Sequence, residues 1–270
     1  MTSQEWQLAN DAARRYEEIL VPAILGPFAK SLADWTELEV HHTVVDVGCG
    51  TGAATRHLAP RLSESGRLIG TDVNKGMLEV AQSLPYHQDL SIDWRQETAD
   101  NLSMENESVD VVVCAQVLQF LKQPVNALRE IHRVLKNDGH LNISLWCEIE
   151  ENPYFDALVN AIAEYISPET AAGLGSAFRL TNPHEINVLI NEAGYRSSQN
   201  DVVELYLELP GIDEFVPRHI SATPMGPGYA SASPEVQAAL LSKLSDRLHD
   251  YITEDGMTIP FRSHLIRAIK

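Results

Sequence analysis

Cysteine is scarce, with three in 270 residues. Cys49, Cys114 and Cys147 are odd in number and far apart, and no C-x-x-C occurs. That excludes a disulfide framework and a paired-thiolate zinc site, and it fits a reducing cytoplasm. Long apolar runs are missing as well. The longest, Val109–Val113 and Leu141–Trp146, are strand-length, well short of the roughly 20 residues of a membrane span. Met1–Asn10 has neither a basic nor an apolar leader region, so no secretory signal is expected. Basic residues are outnumbered, 20 Lys plus Arg against 38 Asp plus Glu, for a formal charge of −18. Nucleic acid and anionic membranes demand the opposite sign and are excluded as partners. No P-loop, H-E-x-x-H or G-x-S-x-G is present, and no metal is expected.

What remains is an ordinary globular composition, 44% hydrophobic and 21% charged. It is enough for a sizeable core in one large domain or one and a half. Residues 4–38 read as helical, with Trp6, Ala9, Ala12, Ala13, Tyr16, Ile19 and Leu20 at helical spacing. Breaks are expected at Pro22 and at Gly26-Pro27. From position 43 short apolar strands alternate with amphipathic segments. Thr43–Val47, Arg67–Asp72, Leu90–Arg95, Ser108–Cys114 and His140–Trp146 read as strands. Ala53–Arg61, Lys75–Leu84 (capped by Asn74) and Leu118–Leu135 read as helices, the last stopped by Asn137-Asp138-Gly139. Such alternation predicts a parallel, doubly wound α/β sheet. Farther on, Pro153–Ile166, Pro183–Ala193, Ile212–Ile220 and Pro234–Tyr251 read as helices, and Tyr195–Leu209 and Met257–Ile269 as strands. Thr223–Ser233, rich in Gly and Pro, reads as a loop able to act as a lid.

The informative stretch is Val44-Val45-Asp46-Val47-Gly48-Cys49-Gly50-Thr51-Gly52-Ala53. A strand runs into three alternate glycines and then a helix. Such a turn lets a ligand approach the main chain, and the helix start offers unpaired N–H groups to a carboxylate or phosphate. Gly48-x-Gly50-x-x-Ala53 loosely fits the dinucleotide fingerprint, with Asp72 in the place of a ribose-binding acid about 20 residues on. Asp46 shifts the balance. An acid beside a pyrophosphate is repulsive, whereas beside an ammonium and a sulfonium it is attractive. Asp46 and Asp72 together favour a cationic nucleoside over NAD.

Val44–Gly52 resembles the first motif of class I S-adenosylmethionine-dependent methyltransferases, V-L-D-x-G-C-G-T-G. Three further segments resemble later motifs in order: Ile69–Leu78 with its strand-end acid and "G-M-L", Ser108–Cys114, and Leu128–His140 against "E-x-x-R-V-L-K-P-G-G". The likeness covers about residues 40–147. The flanks resemble the ubiquinone/menaquinone-type small-molecule branch through Tyr16-x-x-x-Leu20-Val21-Pro22, Gln116–Phe120 and Asn152–Phe155. The resemblance implies an α/β fold with a Rossmann-like, doubly wound, mostly parallel seven-stranded sheet, an N-terminal helical arm and a helical insertion after strand five. It implies an arm at 1–40 that covers the cofactor and a cofactor-binding core at 41–147. A helical acceptor-binding cap would span 148–194 and 210–255, with final strands at 195–209 and 256–270.

By the same resemblance, S-adenosyl-L-methionine is the cofactor. Gly48, Cys49, Gly50 and Gly52 would carry its methionine moiety on their backbone, with Asp46 near the ammonium. Asp72 would accept the ribose hydroxyls, and Val73 and Met77 would wall the adenine. The usual adenine-binding "G-D-A" turn is here Glu97-Thr98-Ala99, so Thr98, Ala99 and Asp100 stand at that edge. Tyr16 would act as a lid, and Gln116 would face the methyl-transfer zone. The acceptor is expected to be a small organic molecule positioned by Gln119, with His219 as the candidate general base and in-line methyl transfer as the reaction. Phe178, Phe215, Met225 and Tyr229 could line an apolar acceptor pocket or form the core of the insertion. His41, His42, His57, His87, His132 and His249 are read as structural, and a homodimer is left open. Two rival readings stand: an NAD(P)-dependent oxidoreductase, and a cofactor-binding relative that does not methylate.

Overall fold

The computed structural model describes residues 10–86 and 90–270. Trp6 and Ala9 of the expected arm, and His87, lie outside the described residues. The strands are β1 (Thr43–Val47), β2 (Arg67–Asp72), β3 (Ile92–Gln96), β4 (Val109–Ala115), β5 (Leu135–Trp146), β6 (Ser197–Leu209) and β7 (Met257–Ile269). They form one sheet in the order β3-β2-β1-β4-β5-β7-β6. The first five pair in parallel. β7 alone is reversed and pairs antiparallel with β5 on one side and β6 on the other. Strand order turns back between β1 and β4, which opens a crevice at their C-terminal ends.

Strand periodicity distributes the core. Val45 and Val47 pack with Leu128 and Ile131 of α5 (Pro124–Val134) on one face of the sheet. Val44 packs on the other face with Ala54 and Leu58 of α3 (Ala53–Leu58) and Leu32 of α2 (Gly26–Trp35). The helices after β5 build a third cluster around Trp146, Tyr154, Phe155 and Phe261. They are α6 (Pro153–Tyr165), α7 (Pro168–Gly175), α9 (Ile212–Ser221), α10 (Gly226–Ala230) and α11 (Pro234–Arg247), while α8 (Pro183–Glu192) packs Ile186 and Ile190 into the cluster of α5.

Several boundaries differ from the sequence expectation. The expected helix Leu118–Leu135 is a 3-10 turn, Leu118–Phe120, followed by α5. Pro124 forces the division, because the residue before a proline avoids the helical region and Gln123 sits at ψ 79. Asn137–Gly139 forms no separate helix stop. The three residues bulge within β5, where partners step from Val109↔Leu135 to Val111↔His140 and Asp138 takes φ 66.

The breaks expected at Pro22 and Gly26-Pro27 are absent. Residues 10–35 run as α1 (Asn10–Arg15), a π-helix (Tyr16–Leu25) and α2 without interruption. The wider winding accommodates a proline that lacks an N–H, and Gly26 N–H closes it onto the Val21 carbonyl. The expected lid loop Thr223–Ser233 contains α10, whose Tyr229 is buried in the third cluster. α7 had no periodic signal, yet Ser167 caps it by accepting from Thr170 N–H at 3.1 Å.

Candidate functional site

The C-terminal ends of β1 to β5 meet the arm and the later helices around one cavity of about 540 Å³. Gly48 and Gly50 form its floor after β1, both left-handed at φ 70 and φ 55. A side chain at Gly48 would strike Val117 at 2.5 Å, while nothing lies within 4 Å of the corresponding position at Gly50. Glycine at 48 therefore lets the loops after β1 and β4 touch, and glycine at 50 leaves the main chain open to a ligand.

Asp72 ends β2 on the same wall. Its Oδ2 accepts from Gly50 N–H at 2.8 Å and its Oδ1 from Asn74 N–H at 2.7 Å. Asn74 in turn caps α4 (Lys75–Ser83) by accepting from Gly76 and Met77 N–H. The carboxylate is thus fixed by two loops, and each oxygen keeps a lone pair for a further donor. Burial pushes its pKa up, opposed by those same backbone bonds.

Tyr16 opens the π-helix and closes the cavity from the arm side, packed with Met77. Burial, with the charges of Asp72 and Glu17, holds its phenol protonated well above the ordinary range. Glu17 pairs with Arg56 at 2.6 Å, and Arg56 donates to the Thr51 carbonyl at 2.5 Å. The arm is thereby pinned to the glycine loop. Val73, Met77, Thr98, Ala99 and Asp100 form the adjoining wall, with Val73 exposed although apolar.

Three expected site residues are off the wall. Asp46 is fully buried behind the loop, because strand alternation turns it with Val44 toward α3. Its Oδ2 accepts from Thr55 Oγ1 at 2.5 Å, its Oδ1 has no partner, and burial pushes its pKa up to about 6. Cys49 is buried with its thiol pushed up by that burial, so only its backbone faces the loop's partners. Gly52 caps α3 at φ 84 over Trp94.

The far end of the cavity is apolar and comes from unexpected residues. Trp146 at the end of β5, Phe120, Phe155, Leu174 and Ala177 line it. Phe215, Met225 and Tyr229 belong to the same third cluster, with Phe178 packed against it, and are off the cavity wall. Hydrophobic spacing marks a face as buried without saying whether protein or a cavity lies against it. A usable signal was Trp146 itself, a large aromatic at the C-terminal end of a parallel strand.

Gln116, Gln119 and His219 are on this wall too. Gln116 follows β4 at φ 58, a strained conformation for a side-chain-bearing residue. His219 is 2% exposed, and its Nδ1 lies 2.7 Å from the Tyr154 hydroxyl. Burial lowers its pKa to about 3. An imidazole held neutral so firmly takes up a proton poorly, which argues for hydrogen bonding rather than the general-base role expected of it. Lys122, Arg179 and Glu97 also line the cavity.

Residues 45–143 match the family model described as a methyltransferase domain. A ubiquinone biosynthesis O-methyltransferase of Pseudomonas syringae pv. tomato is 32% identical over 154 residues, 56% of this chain. The match spans 63% of that relative's length, under two thirds. Among solved structures, YcgJ of Bacillus subtilis aligns with a TM-score of 0.58 at 21% identity, covering 90% of this chain and 98% of that one. Haemonchus contortus phosphoethanolamine N-methyltransferase 2, solved with phosphomonomethylethanolamine and S-adenosylhomocysteine, aligns with a TM-score of 0.60 at 18% identity. That alignment covers 98% of this chain and 58% of the other. At such identities the structures share a fold.

Proposed function

We propose, from the match of residues 45–143 to a methyltransferase domain model, that the chain is a class I S-adenosylmethionine-dependent methyltransferase acting on a small, largely apolar molecule. The observation that carries the proposal is the continuity of one cavity. It runs from the Gly48–Gly50–Asp72 end to an apolar end at Trp146 and Phe155. A cofactor and an acceptor can therefore meet in it without leaving the protein.

When bound, S-adenosylmethionine supplies an electrophilic methyl group on a sulfonium. The donor set suits it. Asp72 offers lone pairs to vicinal hydroxyls, and its hydrogen bonds as a charged acceptor contribute about 1.5–3 kcal/mol each. Gly48 and Gly50 open the backbone to the amino-acid end of the ligand, with Cys49 and Gly52 completing the turn. Val73 and Met77 flank a flat ring, the thioether being adaptable, while Thr98, Ala99 and Asp100 edge it. Asp46, behind the loop, adds negative potential toward a cationic ligand and touches none of it. Tyr16 excludes water from the arm side, and Gln116 and Gln119 orient the acceptor. Alignment of this kind can supply about 7–11 kcal/mol of the barrier in favourable cases.

The three cysteines are free thiols, which supports a reducing, cytoplasmic setting. Charge supports a small-molecule acceptor over nucleic acid. The test is incubation of the purified chain and S-adenosylmethionine with a metabolite extract, followed by mass spectrometry. A metabolite that gains one methylene mass only when both protein and cofactor are present is the expected result. Cofactor binding without any such gain would favour the non-methylating reading.

A further inference from the structure

One imidazole on the cavity wall has its proton placed by a group behind the wall. Tyr154, near the start of α6, is fully buried against the rings of Phe155, Phe215 and Phe261. Its hydroxyl has one polar neighbour among the described residues, His219 Nδ1 at 2.7 Å. His219 stands in the last turn of α9 and is 2% exposed. Burial holds the phenol protonated and the imidazole neutral, so the pair has one O–H and one ring N–H to place. With the ring proton on Nδ1, the phenol proton would be buried without an acceptor. The phenol therefore donates to Nδ1, and the ring proton sits on Nε2.

Nδ1 is turned to the core, whereas Nε2 is open. His219 lines the cavity and Tyr154 does not. Nε2 has no partner among the described residues, and unlike Asp46 Oδ1 and Gln119 Oε1 it is not sealed by packing. Phe155 is in ring contact with His219 at 6.1 Å between centroids and with Trp146 at 5.3 Å. The Trp146 indole N–H is likewise on the wall, unsealed and without a partner among the described residues. An indole N–H and an imidazole Nε2–H can only donate.

We infer that Tyr154 is a positioning residue that fixes His219 as a hydrogen-bond donor, and that His219 and Trp146 together select a methyl acceptor bearing an accepting oxygen, a carbonyl or a carboxylate. The inference rests on the reading of this cavity as the site of methyl transfer, and it adds one polar requirement to the apolar body. A hydrocarbon of the same shape leaves the buried N–H groups unpaired, and an ammonium brings another donor to them. A site built to pair a polar group discriminates against analogues that lack it.

The test uses four probes with one phenyl body: acetophenone, benzoate, α-methylstyrene and 1-phenylethylammonium. In α-methylstyrene a methylene replaces the carbonyl oxygen. Each is titrated by ligand-observed NMR into the purified chain saturated with S-adenosylhomocysteine. The better of the two oxygen probes is expected to bind at least tenfold more tightly than α-methylstyrene and the ammonium. Which of them leads tells whether the selected oxygen is neutral or anionic. In His219→Phe that preference should fall below threefold. Histidine nitrogen NMR reads the tautomer directly, with the His219 signals identified by their loss in His219→Phe. The parent should show a protonated Nε2 and a bare Nδ1, and Tyr154→Phe should mix the two tautomers and reduce the preference. A merely structural role for Tyr154 would weaken all probes together and leave the tautomer unchanged. Equal binding of acetophenone, benzoate and α-methylstyrene, no binding of either oxygen probe at millimolar concentration, a preference that survives His219→Phe, or a parent protonated on Nδ1 would overturn the inference. The S-adenosylhomocysteine titration that precedes the probes reports separately on the cofactor reading. Its failure would sink that reading, and the tautomer and the probe ratio would still be measured on the ligand-free protein.

Discussion

Asp46 and Asp72 lie on neighbouring strands and their environments differ sharply. Asp72 reaches the cavity and is held by two backbone N–H groups. Asp46 is sealed behind the glycine loop with one oxygen unpartnered, and burial raises its pKa from an ordinary 3.8 to about 6. An acid whose folded pKa is raised favours the fold when protonated. Its contribution is therefore full below about pH 4, is lost as pH rises toward 6, and is flat above. At ~1.4 kcal/mol per pH unit the loss is about 3 kcal/mol. Asp46→Asn should accordingly remove a fall in stability between pH 4 and 6 that the parent shows. Thermal unfolding of the ligand-free protein across pH 4–7 measures it, and identical profiles for parent and variant would refute the assignment. The sequence motif marked both acids. Only the pairing of Asp46 with Thr55 across the β1–α3 interface separates an acid on the wall from one behind it.

Among the elements, the glycine loop is the least replaceable. Gly48 combines φ 70 with a contact of 2.5 Å between any added Cβ and Val117. Gly48→Ala should cost about 1–3 kcal/mol in backbone strain, push the loops after β1 and β4 apart, and reduce S-adenosylhomocysteine affinity at least tenfold. Denaturant unfolding and calorimetry on the variant check both halves. Elements with a strong local signal were legible in the sequence. β1, β2 and β7 have the bounds that their β-branched or alternating runs indicate, and α4 starts where Asn74 caps it. The illegible ones depend on contacts distant in sequence or on unusual winding. α10 is held by Tyr229 in the third cluster, and the π-helix absorbs Pro22 where ordinary helical winding would break. The apolar end of the cavity was the least legible part. Phe215 and Phe155 have the same periodic signature and share one core cluster, yet only Phe155 also lines the cavity.

For the whole molecule, the charge of −18 and the single large sheet divide the work. Most acids are solvated at the surface, while the sheet's crevice gathers a few of them at one end of the cavity. Asp72 and Glu97 adjoin there, with Glu97 N–H donating to the Asp72 carbonyl at 3.1 Å, and Asp100 follows on the same loop. That negative charge suits a ligand carrying positive charge and ribose hydroxyls better than a dinucleotide with its pyrophosphate. Calorimetric titration of the purified chain with S-adenosylhomocysteine and, separately, with NAD tests this central claim most directly. The account predicts one S-adenosylhomocysteine bound per chain, at least tenfold weaker in Asp72→Ala, and no heat from NAD. Binding of NAD with none of the sulfur nucleoside would contradict it.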